Sequence, residues 1–167
     1  ESSFNVDSAD INEGLLYVAY NWDKIPSNDF NLWNITFNNN AINPIAYYRD
    51  QSNLGTYGKY GYGLVVYNVS DFIEIGENSL VLDKDKGGCA VYPLTLVLLT
   101  NNNASSTYKL VYIAENADLL SKPVNIESGS YAFMDDVESK NLLNSTLYIF
   151  AAGGESGEGN IIVNEAI

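Results

Sequence analysis

Any chemistry this chain performs falls to its carboxylates, because histidine is absent and Cys89 is the only cysteine. Without an imidazole neither a Ser-His-Asp nor a Cys-His relay can be assembled, and zinc sites of the Cys/His type lose their ligands. Ser-Lys chemistry would need one of very few lysines in a buried pocket. What remains is a pair of carboxylates working as acid and base on a glycosidic bond, for which Asp135, Asp136 and Glu138, or Glu74 and Glu77, carry suitable groups. Acidic residues outnumber basic ones 21 to 8, so such neighbours arise by chance, and a solvated face accounts for them without catalysis. The expectation is a protein that is not an enzyme. A carbohydrate-active enzyme stays as a distant alternative, requiring two facing carboxylates in a cleft.

Oxygen-rich loops suit a hard cation, which gathers several carboxylate and carbonyl oxygens. A structural calcium ion is the one cofactor this composition favours, with Asp23 and Asp29 (near Asn28) after the first long strand, or Asp135 and Asp136 at a strand end, as ligands. The turn Asp83-Lys-Asp85-Lys-Gly87 opens like an EF-hand loop and then departs from it, since Leu94 stands where the closing Glu belongs. Aromatic side chains offer a different function, because the C–H faces of sugar rings pack on them. Trp22, Trp33, Tyr47, Tyr48, Tyr57, Tyr60 and Tyr62 are the candidates, although tyrosine in sheets commonly serves cross-strand packing. Trp22 and Tyr57 lie at loop edges; with Tyr47 and Asp29 they make the ligand-binding set.

Four sequons occur, at Asn34, Asn68, Asn103 and Asn144. Asn103 and Asn144 fall in expected turns, where an acceptor must sit, Asn68 follows a strand, and Asn34 is mid-strand. Lys109, inside an expected core strand, is the one lysine placed for an autocatalytic Lys–Asn cross-link of the kind surface proteins use instead of disulfides. Cys89 reads as a small buried hydrophobe.

The formal charge of −13 excludes nucleic acid as a partner, since phosphate binding needs a basic stripe. No apolar run approaches the ~20 residues that span a bilayer, so this segment is not expected to insert in a membrane. Glu1-Ser-Ser-Phe lacks the basic start and apolar core of a signal peptide, as a mature or excised fragment would.

Strands are the elements available to hold these residues. Hydrophobic content of 46% arrives in short runs of Tyr, Val, Ile and Leu, with 13 tyrosines against 1 methionine. At 167 residues a single domain over 1–167 is expected, an antiparallel β-sandwich of jelly-roll type with one short helical turn. Residues up to Asn12 read as a short edge strand; Gly14 to Trp22 as a core strand; Leu32 to Asn38 as a strand closing on an Asn-rich turn. Ile42 to Arg49 belongs on an edge because of Pro44. Tyr60 to Lys84 is the organising stretch: a strand ending at Tyr67, one helical turn over Val69 to Ile73, a stop at Gly76 and a returning strand from Ser79. Ala90 to Thr100 should be a central strand after Pro93, with Tyr108 to Ala114 as its hairpin partner. Ser128 to Asp136, Thr146 to Ala152 and Asn160 to Asn164 complete the strands. Leu147-Tyr-Ile-Phe and its sequel repeat Leu16-Tyr-Val-Ala and its sequel, which suggests a weak internal duplication.

Taken in order, Tyr67-x-Val-Ser-Asp-Phe-Ile-x-x-Gly-x-Asn78, Pro93-Leu-Thr-Leu-Val97 and Tyr112-Ile-Ala-Glu-Asn-Ala-Asp-Leu-Leu120 resemble the DUF3344 type of domain, found in large secreted adhesin-like surface proteins of methanogenic archaea. The sequence departs from that pattern before the Leu-Val strand, where Gly87-Gly-Cys-Ala-Val-Tyr92 replaces a small-residue lead. The resemblance implies an extracellular, cell-surface location within a longer chain and attachment to a glycan or protein of a partner cell. A stalk or spacer role without its own ligand is the alternative. No catalytic residue comes with it.

Overall fold

Two antiparallel sheets form a β-sandwich in a computed structural model that describes residues 1–7, 10–24, 33–51, 60–84, 88–101, 109–119, 144–153 and 162. The strands are β1 (Ser2–Val6), β2 (Ile11–Asp23), β3 (Trp33–Phe37), β4 (Asn40–Ala41), β5 (Pro44–Gln51), β6 (Gly61–Asn68), β7 (Gly76–Lys84), β8 (Ala90–Val91) and β9 (Thr95–Thr100). One sheet has the order β1-β7-β3-β4; the other runs β5-β6-β2-β8, with β9 also paired to β2. The chain divides into two units, Glu1–Asp135, which holds the sandwich, and Asp136–Ile167.

Alternation along the strands sets the core. On β2, Leu16, Val18 and Tyr20 are buried on the inner face; on β6, Val65 and Tyr67 join them. Ile35 and Phe37 of β3 and Leu80 of β7 close the core from the opposite sheet. Pro44 sits on the edge strand β5, where its missing N–H costs no ladder bond, as the sequence predicts. Asn38 and Asn39, with φ of 46° and 62°, make the tight reversal from β3 into β4, a conformation asparagine tolerates better than most residues.

The corner between β6 and β7 is built from the motif residues. The 3-10 turn spans Ser70–Phe72, shorter than the expected turn, and Gly76 adopts φ 97°. Asn68 Oδ1 accepts from the backbone N–H and the hydroxyl of Ser70 at 3.0 and 2.7 Å, and Ser70 Oγ accepts from Gly14 N at 2.9 Å. Asn78 is fully buried with its amide saturated. Its Oδ1 accepts from Glu74 N and Asn38 Nδ2, both at 2.8 Å, while its Nδ2 donates to the carbonyls of Glu74 and Gly76 at 2.8 and 3.0 Å.

The strand expected after Pro93 forms as β9, but it is not central: it and the short β8 before Pro93 both lie against β2, which is the central strand. Two further expectations fail. Lys109 to Ala114 forms no strand and no hairpin with β9, whose described ladder runs along Ile11 to Tyr17 of β2. Lys109 is accordingly exposed rather than inside a core strand, which removes the setting for a buried cross-link. Residues 146–151 are likewise without strand pairing, so the duplication of the β2 unit finds no structural counterpart there. Ser128 to Asp136 and Asn160, Ile161, Val163 and Asn164 lie outside the described residues.

Asn78→Ala strips partners from four polar groups around a buried position at once and should lower the unfolding free energy by about 2–4 kcal/mol in denaturant titration, with the unfolding slope unchanged. A loss under ~1 kcal/mol would show that water replaces the amide.

Candidate functional site

The described residues offer two clusters of polar and aromatic side chains outside the corner. The first lies on the outer face of the five-stranded sheet. Tyr17 of β2 stands opposite Val66 and Tyr48 of β5 opposite Leu64, two positions apart on β6, so both rings share that face. Their hydroxyls donate to the two oxygens of Glu115, at 2.6 and 2.8 Å. Four residues on, Leu119 N donates to Asp50 Oδ2 at 2.6 Å. The stretch after β9 is thereby strapped across the sheet. Burial, followed by the hydrogen bond to Glu115, pushes the Tyr17 phenol far up from its ordinary 10, and the same hydrogen bond, followed by burial, raises Tyr48. Both phenols stay protonated as donors, which suits a clasp and disfavours a tyrosinate nucleophile.

The second cluster sits where β2 ends. Between Tyr20, opposite Gly63, and Asp23, opposite Gly61, β2 carries two residues against one on β6, a β-bulge. Trp22 occupies it with φ 58°, a left-handed conformation that costs a bulky residue about 1–3 kcal/mol. The bulge turns the indole outward: Trp22 is 42% exposed, between the buried Tyr20 and the fully buried Asp23. Its ring centroid lies 6.2 Å from that of Tyr60, the planes inclined by 33°, and Lys24 holds its ammonium 5.9 Å from the Tyr60 centroid. Two glycines of β6 open the space behind. A Cβ on Gly63 would stand 2.6 Å from the Tyr20 ring, which passes over it to meet Trp33 edge-on at 5.6 Å. A Cβ on Gly61 would meet the Arg49 guanidinium at 3.2 Å and Asp23 Cβ at 3.4 Å, so that cation and carboxylate converge over this glycine.

Of the residues the sequence singles out, Trp22 and Asp23 stand together here. Tyr47 is 59% exposed on β5 but four residues from Gln51, the β5 residue opposite Gly61, or about 13 Å along the strand. The Asp23 Cβ and the Arg49 guanidinium both approach Gly61, and among the described residues no group of three or more Asp, Glu or Cys side chains is gathered to hold a metal. Asp29, Tyr57, Asp135, Asp136 and Asn103 lie outside the described residues. Asn144 is exposed in a stretch without strand pairing, open to a glycan. Asn68 is also exposed, with its Oδ1 committed to Ser70.

Lys24 and Arg49 were not legible as site residues. The available signal is Gly61-x-Gly63 in an otherwise bulky strand, which marks a place where a ring or cation from a neighbouring strand crosses the backbone. Trp22→Gly relieves the left-handed strain and is expected to leave the unfolding free energy unchanged or raised by about 1 kcal/mol, read by thermal melts. Gly63→Ala should lower it by about 1–3 kcal/mol through overpacking against Tyr20.

The clasp also makes stability depend on pH. A raised phenol pKa means that the unfolded chain gives up its proton first, so the stabilisation is complete below pH 10 and is lost as pH climbs from there toward the folded pKa. Tyr67, raised by burial alone, acts in the same direction. Denaturation midpoints should fall steadily above pH 10, and the fall should be shallower in Tyr17→Phe; an equal slope in both would show that the clasp makes no contribution.

No curated protein sequence and no solved structure matches the chain significantly. The profile of the family described as "Protein of unknown function (DUF3344)" matches residues 2–167, nearly the whole sequence. The chain belongs to the DUF3344 family.

Proposed function

We propose that this domain is a non-catalytic adhesin-like module of an extracellular surface protein, attaching its cell to a partner by binding a saccharide at the Trp22 end of the sandwich. The observation that supports this most is Trp22 itself. A tryptophan in a strained backbone conformation, exposed and set beside a second ring, is a costly arrangement for packing and a suitable one for receiving the face of a sugar. The motifs shared with adhesin-like proteins of methanogenic archaea support the surface location, and Asn144 supports export. Catalysis is disfavoured because no histidine is present and the phenols of the Glu115 clasp are held protonated.

A glycan array probed with the intact chain and with Trp22→Ala tests the proposal. Binding by the parent that drops about tenfold in the variant is expected, given the ~1–3 kcal/mol that stacking on one aromatic face supplies. Blank arrays, together with a blank pull-down against partner-cell surface proteins, would leave the spacer role. Binding that survives Trp22→Ala would move the site elsewhere.

A further inference from the structure

We infer that the saccharide is acidic, its ring lying on Trp22 and Tyr60 and its carboxylate meeting Lys24. This rests on the saccharide-binding reading above and adds the charge of the ligand to it. The chain as a whole repels anions, so an acidic ligand needs a cation placed for it. Among the described residues only four are basic, Lys24, Arg49, Lys84 and Lys109, against twelve acidic ones. Three of the four converge on one end of the sandwich: Lys24 follows β2 directly, Arg49 lies over Gly61, and Lys84 pairs with Trp33 and donates to the Cys89 carbonyl. Asp23, Asp50 and Asp83 share that end, while Asp71, Glu74 and Glu77 stand exposed around the corner at the opposite end, where β6 passes into β7.

Within the basic end the three cations are placed differently. Arg49 shares the Gly61 notch with the buried Asp23, and Lys84 is turned to a backbone carbonyl. Lys24 is exposed and, among the described residues, is positioned by neutral groups. Its stem packs on Gly88, where a Cβ would meet the Lys24 side chain at 3.2 to 3.4 Å, and its ammonium stands over Tyr60. A charge fixed beside a stacking face by uncharged contacts remains available to a ligand.

The test is calorimetric titration of the intact chain with uronate- and sialate-terminated oligosaccharides, each beside its methyl ester, which keeps the shape and removes the charge. The acids should bind about fivefold more tightly than their esters, Lys24→Gln should abolish that difference, and the advantage should vanish at about 1 M salt, where the screening length is ~3 Å. Equal binding of acid and ester, unaffected by Lys24→Gln, overturns the acidic assignment and leaves saccharide binding intact. Failure of every acid and ester to bind, or binding indifferent to Trp22→Ala, overturns both.

Discussion

The sandwich turns on the buried amide of Asn78. Its two donors and its acceptor bind β7 to the 3-10 corner and, through Asn38, to the β3–β4 reversal. Asn38 extends the network, donating to the Phe72 carbonyl at 2.8 Å and accepting from Ser79 N at 2.8 Å. A buried polar group is costly unless every partner is in place, so this corner has one arrangement in which all of them are met. That arrangement fixes where β6 leaves one sheet and β7 enters the other. Gly14 belongs to the same device, since its N–H donates to Ser70 Oγ and a side chain there would push the end of Ile73 aside.

With one end of the sandwich locked, the other is free to carry a strained feature. The bulge at Trp22 lies at the far end of β2 from Gly14, and the cost of a left-handed tryptophan is small beside the burial of Leu16, Val18 and Tyr20 on the same strand. The Tyr20 ring, crossing Gly63 to reach Trp33, holds the bulge's base rigid while Trp22 faces solvent. The third device, Glu115 between Tyr17 and Tyr48, covers the sheet face that the sandwich does not use. Structure is thus divided between a saturated corner, an aromatic end and a strapped face, and among the described residues the aromatic end combines exposure, backbone strain and the Lys24 ammonium.

The family motif maps onto the corner more than onto the site. Ser70, Gly76 and Asn78 are motif residues, and each serves the backbone, by capping Gly14, by adopting φ 97° and by filling a buried hydrogen-bond set respectively. A domain recognised by such residues is recognised by its fold, and the side chains that would choose a ligand are free to differ.

Short-range rules were enough to read the strand-rich class, the edge position forced by Pro44, the core strand now seen as β2, the corner at Ser70 to Gly76 and the exclusion of imidazole chemistry. Alternation, missing donors and residue inventory operate over a few neighbouring positions, so the chain displays them before it folds. Strand partnership and the aromatic end obey no such local rule. Leu110 to Ile113 has the composition of a strand yet joins no ladder, and composition alone does not decide which segments pair. Trp22 could be marked as exposed from its place beside a loop, and Lys24 follows it two residues on, but its bulge depends on the two-against-one register with β6, and Tyr60 and Arg49 reach it from elsewhere in the chain. Contacts between residues dozens of positions apart are set by register and closure, which is why the corner was legible in the chain and the aromatic, cationic end was not.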